Sequence, residues 1–255
     1  MKFIGIDLSW KVSPEKPERT AAVVLNEEGM VENNTLITTN EDIVDFVKNY
    51  IDYGTIIGVD APLVIPFGVK QRDCERLLLR CKIAVFPGNR RWFISAFGGV
   101  RGEILVNEFK KINVLLKDNI RPKEEANTLF EVYPYSSWKV LFKKEAVPKY
   151  KNTTRSKKIE GLNRLKGKLM ESILPIKLSF KRDIPQLFDV DRTELSNKAL
   201  DQQGDLLDAL IAAYTVLVYW HYGDRKCVVL GDLKEGFILT LANDCMKKLA
   251  KKGKY

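Results

Sequence analysis

Hydrophobic positions at the start of the chain recur every second residue. Across residues 2–9, Ile4, Ile6 and Leu8 fall on one side and Phe3, Gly5, Asp7 and Ser9 on the other, which predicts a strand. Residues 19–26 and 31–38 read as two further strands joined by a Glu27-Glu28-Gly29 turn, hence a hairpin. Asn40 is positioned to cap a helix whose apolar residues Ile43, Val44, Val47, Tyr50 and Ile51 keep the 3.6-residue period. Residues 55–60 form a short, nearly continuous apolar run, as a buried central strand requires. The chain therefore opens β-β-β-α-β.

The pattern then loosens. Residues 72–80 read as a helix, 87–102 as a loop rich in glycine and arginine, 103–117 as a long helix and 128–133 as a strand. Residues 201–220 are apolar on most sides and predict a buried helix, followed by a short β excursion at 227–241 around Gly231 and Gly236. The Lys-rich tail is expected to fray. No repeat or interdomain linker interrupts this order, so one domain is expected over 1–255, with insertions at about 62–127 and 139–200.

Composition adds a bias in charge. The 255 residues are 45% hydrophobic, ordinary for a globular protein, but carry a net charge of +9. Residues 139–182 alone hold 14 Lys or Arg against 3 Glu, so this segment outweighs the whole-chain excess. A basic surface favours polyanionic partners such as nucleic acid. Tyr133, Tyr135, Trp138 and Tyr150 interleave with that segment and could stack bases or pack the core. Cys74, Cys81, Cys227 and Cys245 form no CxxC pair and His221 is the lone histidine, which disfavours a zinc site and a histidine triad. The cysteines are expected to be reduced and packed as small hydrophobes, in a cytoplasmic protein. The first residues lack a signal-peptide pattern, and the longest apolar run, 209–220, is too short for a membrane span.

Against this background five acids stand in apolar surroundings: Asp7, Asp60, Glu131, Asp205 and Asp208. A lone buried carboxylate costs several kcal/mol unless paired. Two of them at about 4 Å repel by about 4 kcal/mol at an effective dielectric near 20. If the five meet, a hard cation is the simplest way to hold them. Asp7 and Asp60 each follow a glycine by two residues, leaving room on that face for an approaching ligand. Asp205 and Asp208 share one helix face. A simpler origin for this last pair is an N-cap and a first-turn acid, and Asp60 or Glu131 could each bond a nearby amide.

These motifs carry a resemblance. The acids on the first and fourth strands and Asp205-x-x-Asp208-Ala209 on the last helix resemble the acidic set of RNase H-like nucleases, nearest in pattern to the Holliday-junction resolvases. More specifically, GIDLSW, GVDAPL, Arg72-x-Cys74-Glu75, Val85-Phe86-Pro87, Phe130-Glu131-Val132-Tyr133-Pro134, Arg155 with Gly161-Leu162, Asp205-x-x-Asp208-Ala209 and Glu235-Gly236-x-Ile238 resemble the domain-of-unknown-function 429 family, described as predicted nucleases of RNase H-like fold. The resemblance implies an α/β, RNase H-like mixed sheet: a three-stranded antiparallel meander plus parallel strands, flanked by helices. It also implies a metal-dependent phosphodiester hydrolase acting on DNA or RNA. Asp7, Asp60, Asp205 and Asp208, with Glu131 assisting, would hold one or two Mg²⁺ or Mn²⁺ ions. Lys139, Lys151, Arg155 and Lys158, with Arg72 and Arg91, would contact phosphates. The competing readings are a non-catalytic nucleic-acid-binding protein of the same fold and a nucleotide-handling relative of actin and the sugar kinases. The latter is disfavoured because Ala61-Pro62 makes a poor phosphate turn.

Overall fold

The computed structural model describes residues 1–12, 19–171, 174–181 and 190–252. Arg182, the last residue of the basic segment, lies outside them, as do 172–173 and the final residues 253–255.

The opening order is as the pattern predicts. Strands β1 (Lys2–Asp7), β2 (Thr20–Leu25) and β3 (Met30–Ile37) form an antiparallel meander. Helix α1 (Asn40–Lys48) follows, and β4 (Thr55–Asp60) pairs parallel to β1. The α1 cap sits one residue earlier than expected. Thr39 Oγ1 accepts from the Asp42 amide at 3.0 Å while the Asp42 carboxylate accepts from the Thr39 amide.

Residues 87–102 are not a loop. After α2 (Asp73–Arg80) the chain forms α3 (Arg90–Phe97), whose start is capped by the Asn89 side chain on the Trp92 amide. Gly98, at φ 81°, ends the helix in the left-handed conformation that glycine adopts without strain. The expected long helix at 103–117 is instead α4 (Arg101–Lys111), then a turn with Asn113 at φ 60°, then the short strand β5 (Leu115–Leu116).

Strand β6 (Thr128–Glu131) leads into α5 (Pro134–Phe142), α6 (Arg155–Met170), β7 (Ser179–Phe180) and the 26-residue α7 (Asn197–Tyr222). A hairpin, β8 (Cys227–Asp232) and β9 (Gly236–Leu241), precedes α8 (Asp244–Lys252). The Lys-rich tail is thus helical as far as Lys252, and the residues beyond it lie outside the described ones.

The main sheet runs β5-β6-β4-β1-β2-β3-β7, an α/β architecture in which the antiparallel meander joins parallel strands between helices. On one face Ile4, Ile6, Leu8, Ile57 and Val59 bury against Ile43 and Val47 of α1 and Leu105 and Phe109 of α4. On the other, Phe3, Ile56 and Phe130 pack under α7, whose residues from Leu206 to Trp220 are almost all buried apolar groups. No helix among the described residues is long and apolar enough to cross a membrane.

The cysteines depart from expectation. Cys81, at the end of α2, and Cys245, in α8, form a disulfide that ties the last helix to the second across 164 residues of sequence. Cys74 and Cys227 are free and buried, as expected for small apolar side chains. A disulfide favours an oxidising setting, although proteins from hyperthermophiles carry them inside the cell.

Candidate active site

Gly5 and Gly58 decide where α7 lies. A Cβ at Gly5 would stand 1.8 Å from the Ala209 carbonyl oxygen and 2.4 Å from the Ala213 amide; at Gly58 it would meet the Ala212 carbonyl oxygen at 2.8 Å. The space left by these glycines, expected to admit a ligand, is filled by helix backbone. The same two gaps let α7 rest directly on β1 and β4, which delivers its acids to the strand ends.

Asp7 and Asp60 are register partners at the carboxyl ends of β1 and β4, so their side chains share a face. Ligands in open α/β sheets bind outside these carboxyl ends. Above them stand Asp205 and Asp208, well inside α7, because the helix begins at Asn197 behind a Ser196 cap. That removes the explanation of Asp205 as N-cap and Asp208 as first-turn acid.

The acids converge on Lys151, which sits in the segment between α5 and α6. Its Nζ lies 2.8 Å from Asp7 Oδ2, 2.8 Å from Asp205 Oδ1 and 2.8 Å from Asp208 Oδ2. Glycines again make the approach possible. Gly161 of α6 faces the Lys149 carbonyl, where a Cβ would come within 2.4 Å, and Gly204 of α7 faces the Lys151 side chain. Asp208 is buried and further held by Trp138 Nε1 at 3.0 Å and the Tyr150 hydroxyl at 2.8 Å. Asp60 accepts no hydrogen bond from any described residue.

One ammonium does not balance four carboxylates. Burial, opposed by Lys151 and reinforced by Asp208 and Asp205, pushes the Asp7 pKa up to about 7. Burial and then Asp7 and Asp208 hold Asp60 well above the usual carboxylate range. Asp205 is raised by burial, partly offset by Lys151. Burial works against the charge on Lys151, but Asp208, Asp7 and Asp205 outweigh it and push its pKa up. The cluster is thus short of positive charge, and Asp7, Asp60 and Asp205 hold their protons more tightly than free carboxyls do. Its donors are anionic oxygens, the set preferred by hard divalent cations. Among the described residues no group of three or more His, Cys, Asp or Glu is arranged to hold a metal as it stands; the ammonium of Lys151 is what the acids surround.

Glu131 does not join them. Its register partner on β4 is Val59, not Asp60, so it points to the opposite face of the sheet. There Arg72 grips it with Nη1 at 2.7 Å and Nη2 at 2.6 Å, and the Leu63 amide donates at 2.9 Å. Arg72 also bonds Glu75, which takes the Gly88 amide. This buried network organises the loops after β4. Arg72 is 2% exposed and therefore unavailable to a phosphate.

Of the other expected phosphate contacts, Lys158 is buried against Asp201 and Arg155 donates to the Thr193 carbonyl. Lys139 is half-buried with its ammonium 5.7 Å from the centre of the Tyr135 ring, and Arg91 is exposed. Trp138 and Tyr150 serve the acids rather than presenting stacking faces. Neither they nor the placement of Lys151 was foreseen, since nothing in the sequence separates them from neighbouring core aromatics and surface lysines. A cavity of about 360 Å³ lined by Asp118, Tyr219, Asp224, Cys227 and Lys247 includes none of the clustered acids.

A family model described as "Protein of unknown function (DUF429)" matches residues 5–232. No curated protein and no solved structure matches the chain.

Proposed function

The chain belongs to the DUF429 family, and from its site we propose a divalent-metal-dependent nuclease that hydrolyses phosphodiester bonds of DNA or RNA. The observation that carries this reading is the convergence of Asp7, Asp205 and Asp208 on one ammonium, with Asp60 beside them as the register partner of Asp7, so that three separate elements deliver four acids to one place. The strand order β3-β2-β1-β4-β6, with acids on β1, β4 and the covering helix, supports an RNase H-like assignment.

Asp7, Asp60, Asp205 and Asp208 would hold one or two Mg²⁺ or Mn²⁺ ions, which when bound supply Lewis-acid charge and an activated water. Trp138 and Tyr150 fix the orientation of Asp208, so this carboxylate is set before any ligand arrives. Lys151 fills the charge deficit of the metal-free state. When displaced it remains tethered beside the site, where its ammonium can meet a phosphate oxygen. Lys139 and the exposed Arg91 would contact the phosphate backbone of the bound strand.

One observation favours a second reading. The three ion pairs of Lys151 already give the cluster a partner, as a non-catalytic nucleic-acid-binding protein would require. Incubating branched, single-stranded and hybrid oligonucleotides with Mg²⁺ separates the two. The nuclease reading expects cleavage that is lost in Asp7→Asn; cleavage undiminished by that change, or none from the wild type on any substrate, rejects it.

A further inference from the structure

The loop after β1, the turn before α3 and α3 itself carry a cluster of aromatic rings that the acidic site does not use. Trp10, three residues beyond Asp7, is its hub: Phe86, Trp92, Phe93 and Phe97 pack around it with centroids 5.1–6.0 Å away. Two rings of this cluster face solvent. Phe86 is 66% exposed and Trp92 39%, and their planes are parallel to within 3°. Apolar rings are normally kept from water, and a contiguous exposed group marks a binding surface.

The cluster reaches one of the acids. A cavity of about 40 Å³ is lined by Asp60, Trp10, Phe86, Phe93 and Tyr133 together with Arg72 and Glu131, so its wall joins the Asp60 carboxylate and the buried Arg72–Glu131 pair to the exposed ring. Phe86 is held there from beneath: the Tyr133 hydroxyl donates to the Ala84 carbonyl at 2.8 Å, pinning the loop. On its outer side the ring borders an open depression of about 360 Å³ formed with Ala84, Val85, Tyr133 and Tyr135. Residues 84–99 include Arg90 and Arg91 but no acid; Arg90 is paired with Glu103, so the exposed Arg91 is the cation this stretch offers a polyanion.

We propose that Phe86 and Trp92 form a stacking platform for an unpaired nucleobase of a strand whose neighbouring phosphate lies at the acidic cluster. A base offers a π-face to any aromatic ring, so such a platform selects single-stranded or unpaired segments without reading their sequence. This deepens the proposed nuclease reading by naming its substrate class: a strand with at least one unstacked base beside the scissile bond.

The test reads binding without divalent metal, so it is independent of catalysis. A fluorescent single-stranded DNA 12-mer and the matching fully paired duplex are titrated against wild type, Phe86→Ala and Phe86→Leu. A 12-mer carrying abasic sites serves as a backbone-only control. Because Phe86 is mostly exposed, both variants should keep the wild-type melting temperature. Single-strand affinity should fall roughly tenfold in both, since leucine keeps the apolar bulk but not the ring. Duplex affinity should be unchanged, and the effect of either variant should vanish against the abasic strand. Equal single-strand affinity in all three proteins overturns the platform, as does an equal loss on the abasic strand. Absence of any oligonucleotide binding by the wild type does so too, and so does self-association that Phe86→Ala abolishes while strand affinity stays constant. If Mg²⁺-dependent cleavage is absent while ring-dependent binding persists, the platform stands and the nuclease reading fails.

Discussion

Lys151 Nζ and Asp208 Oδ2 are 2.8 Å apart, and the same ammonium is shared with Asp7 and Asp205. A lysine from the most basic segment of the chain thereby acts as the internal counter-ion of its most acidic site. Replacing it with an uncharged residue of similar length isolates that role. Lys151→Met should lower the stability of the metal-free protein by about 2 kcal/mol, the remaining acids limiting the loss by taking up protons. It should also raise the stabilisation gained from Mg²⁺ above that of the wild type. Thermal melts with EDTA and with Mg²⁺ provide the check, and equal Mg²⁺ shifts in the two proteins would contradict this role.

The raised pKa of Asp7 makes metal-free stability depend on pH. A carboxyl that titrates near 3.8 when unfolded and about 7 when folded binds its proton more tightly in the folded state. Its stabilising contribution is complete below pH 4 and is lost as the pH climbs to about 7. Asp60 and Asp205 shift in the same direction. Denaturant midpoints in EDTA should therefore fall between pH 5 and 7.5, by an amount on the order of a few kcal/mol. Saturating Mg²⁺ should flatten or reverse the slope, because a cation binds the ionised acids. A midpoint that rises with pH in EDTA would refute this account of the cluster.

Glu131 should behave as a structural acid. Glu131→Gln leaves the buried Arg72 guanidinium with Glu75 as its remaining carboxylate partner among the described residues, at a cost of about 3–5 kcal/mol. Divalent-metal binding by the folded variant should remain at the wild-type level. Loss of metal binding without loss of stability would put Glu131 back among the ligands.

Much of this site was legible in the sequence because its acids interrupt strong apolar patterns. Asp7 and Asp60 end strands whose alternation and turns are plain, and the burial around Asp208 announces itself through the residues that follow. Register is another matter. Whether Glu131 faces Asp60 or points away depends on a one-residue offset between β4 and β6, and each strand reads the same either way. The glycines at 5 and 58 suggested space, and space there is, but the partner that fills it is a helix distant in the sequence, at Ala209 for Gly5 and at Ala212 for Gly58.

Other features were hidden by local composition. Arg90 and Arg91 break the apolar rhythm of α3, so an eight-residue helix capped by Asn89 and ended by Gly98 resembled a loop. Asn197 and Lys198 concealed the first turn of α7, making Asp205 look like a cap. Lys151 is one lysine among many in its segment. Only the fold selects it, through Gly161, Gly204 and the Tyr150 bond to Asp208.

The central claim is that these carboxylates form a divalent-cation site. Calorimetric titration of Mn²⁺ into the wild type and Asp7→Asn at pH 7.5 tests it most directly. The account predicts saturable binding in the wild type that weakens on the order of tenfold or more in the variant, while the variant melts no lower than the wild type in EDTA. Identical Mn²⁺ isotherms for the two proteins, or no binding by either, would contradict it.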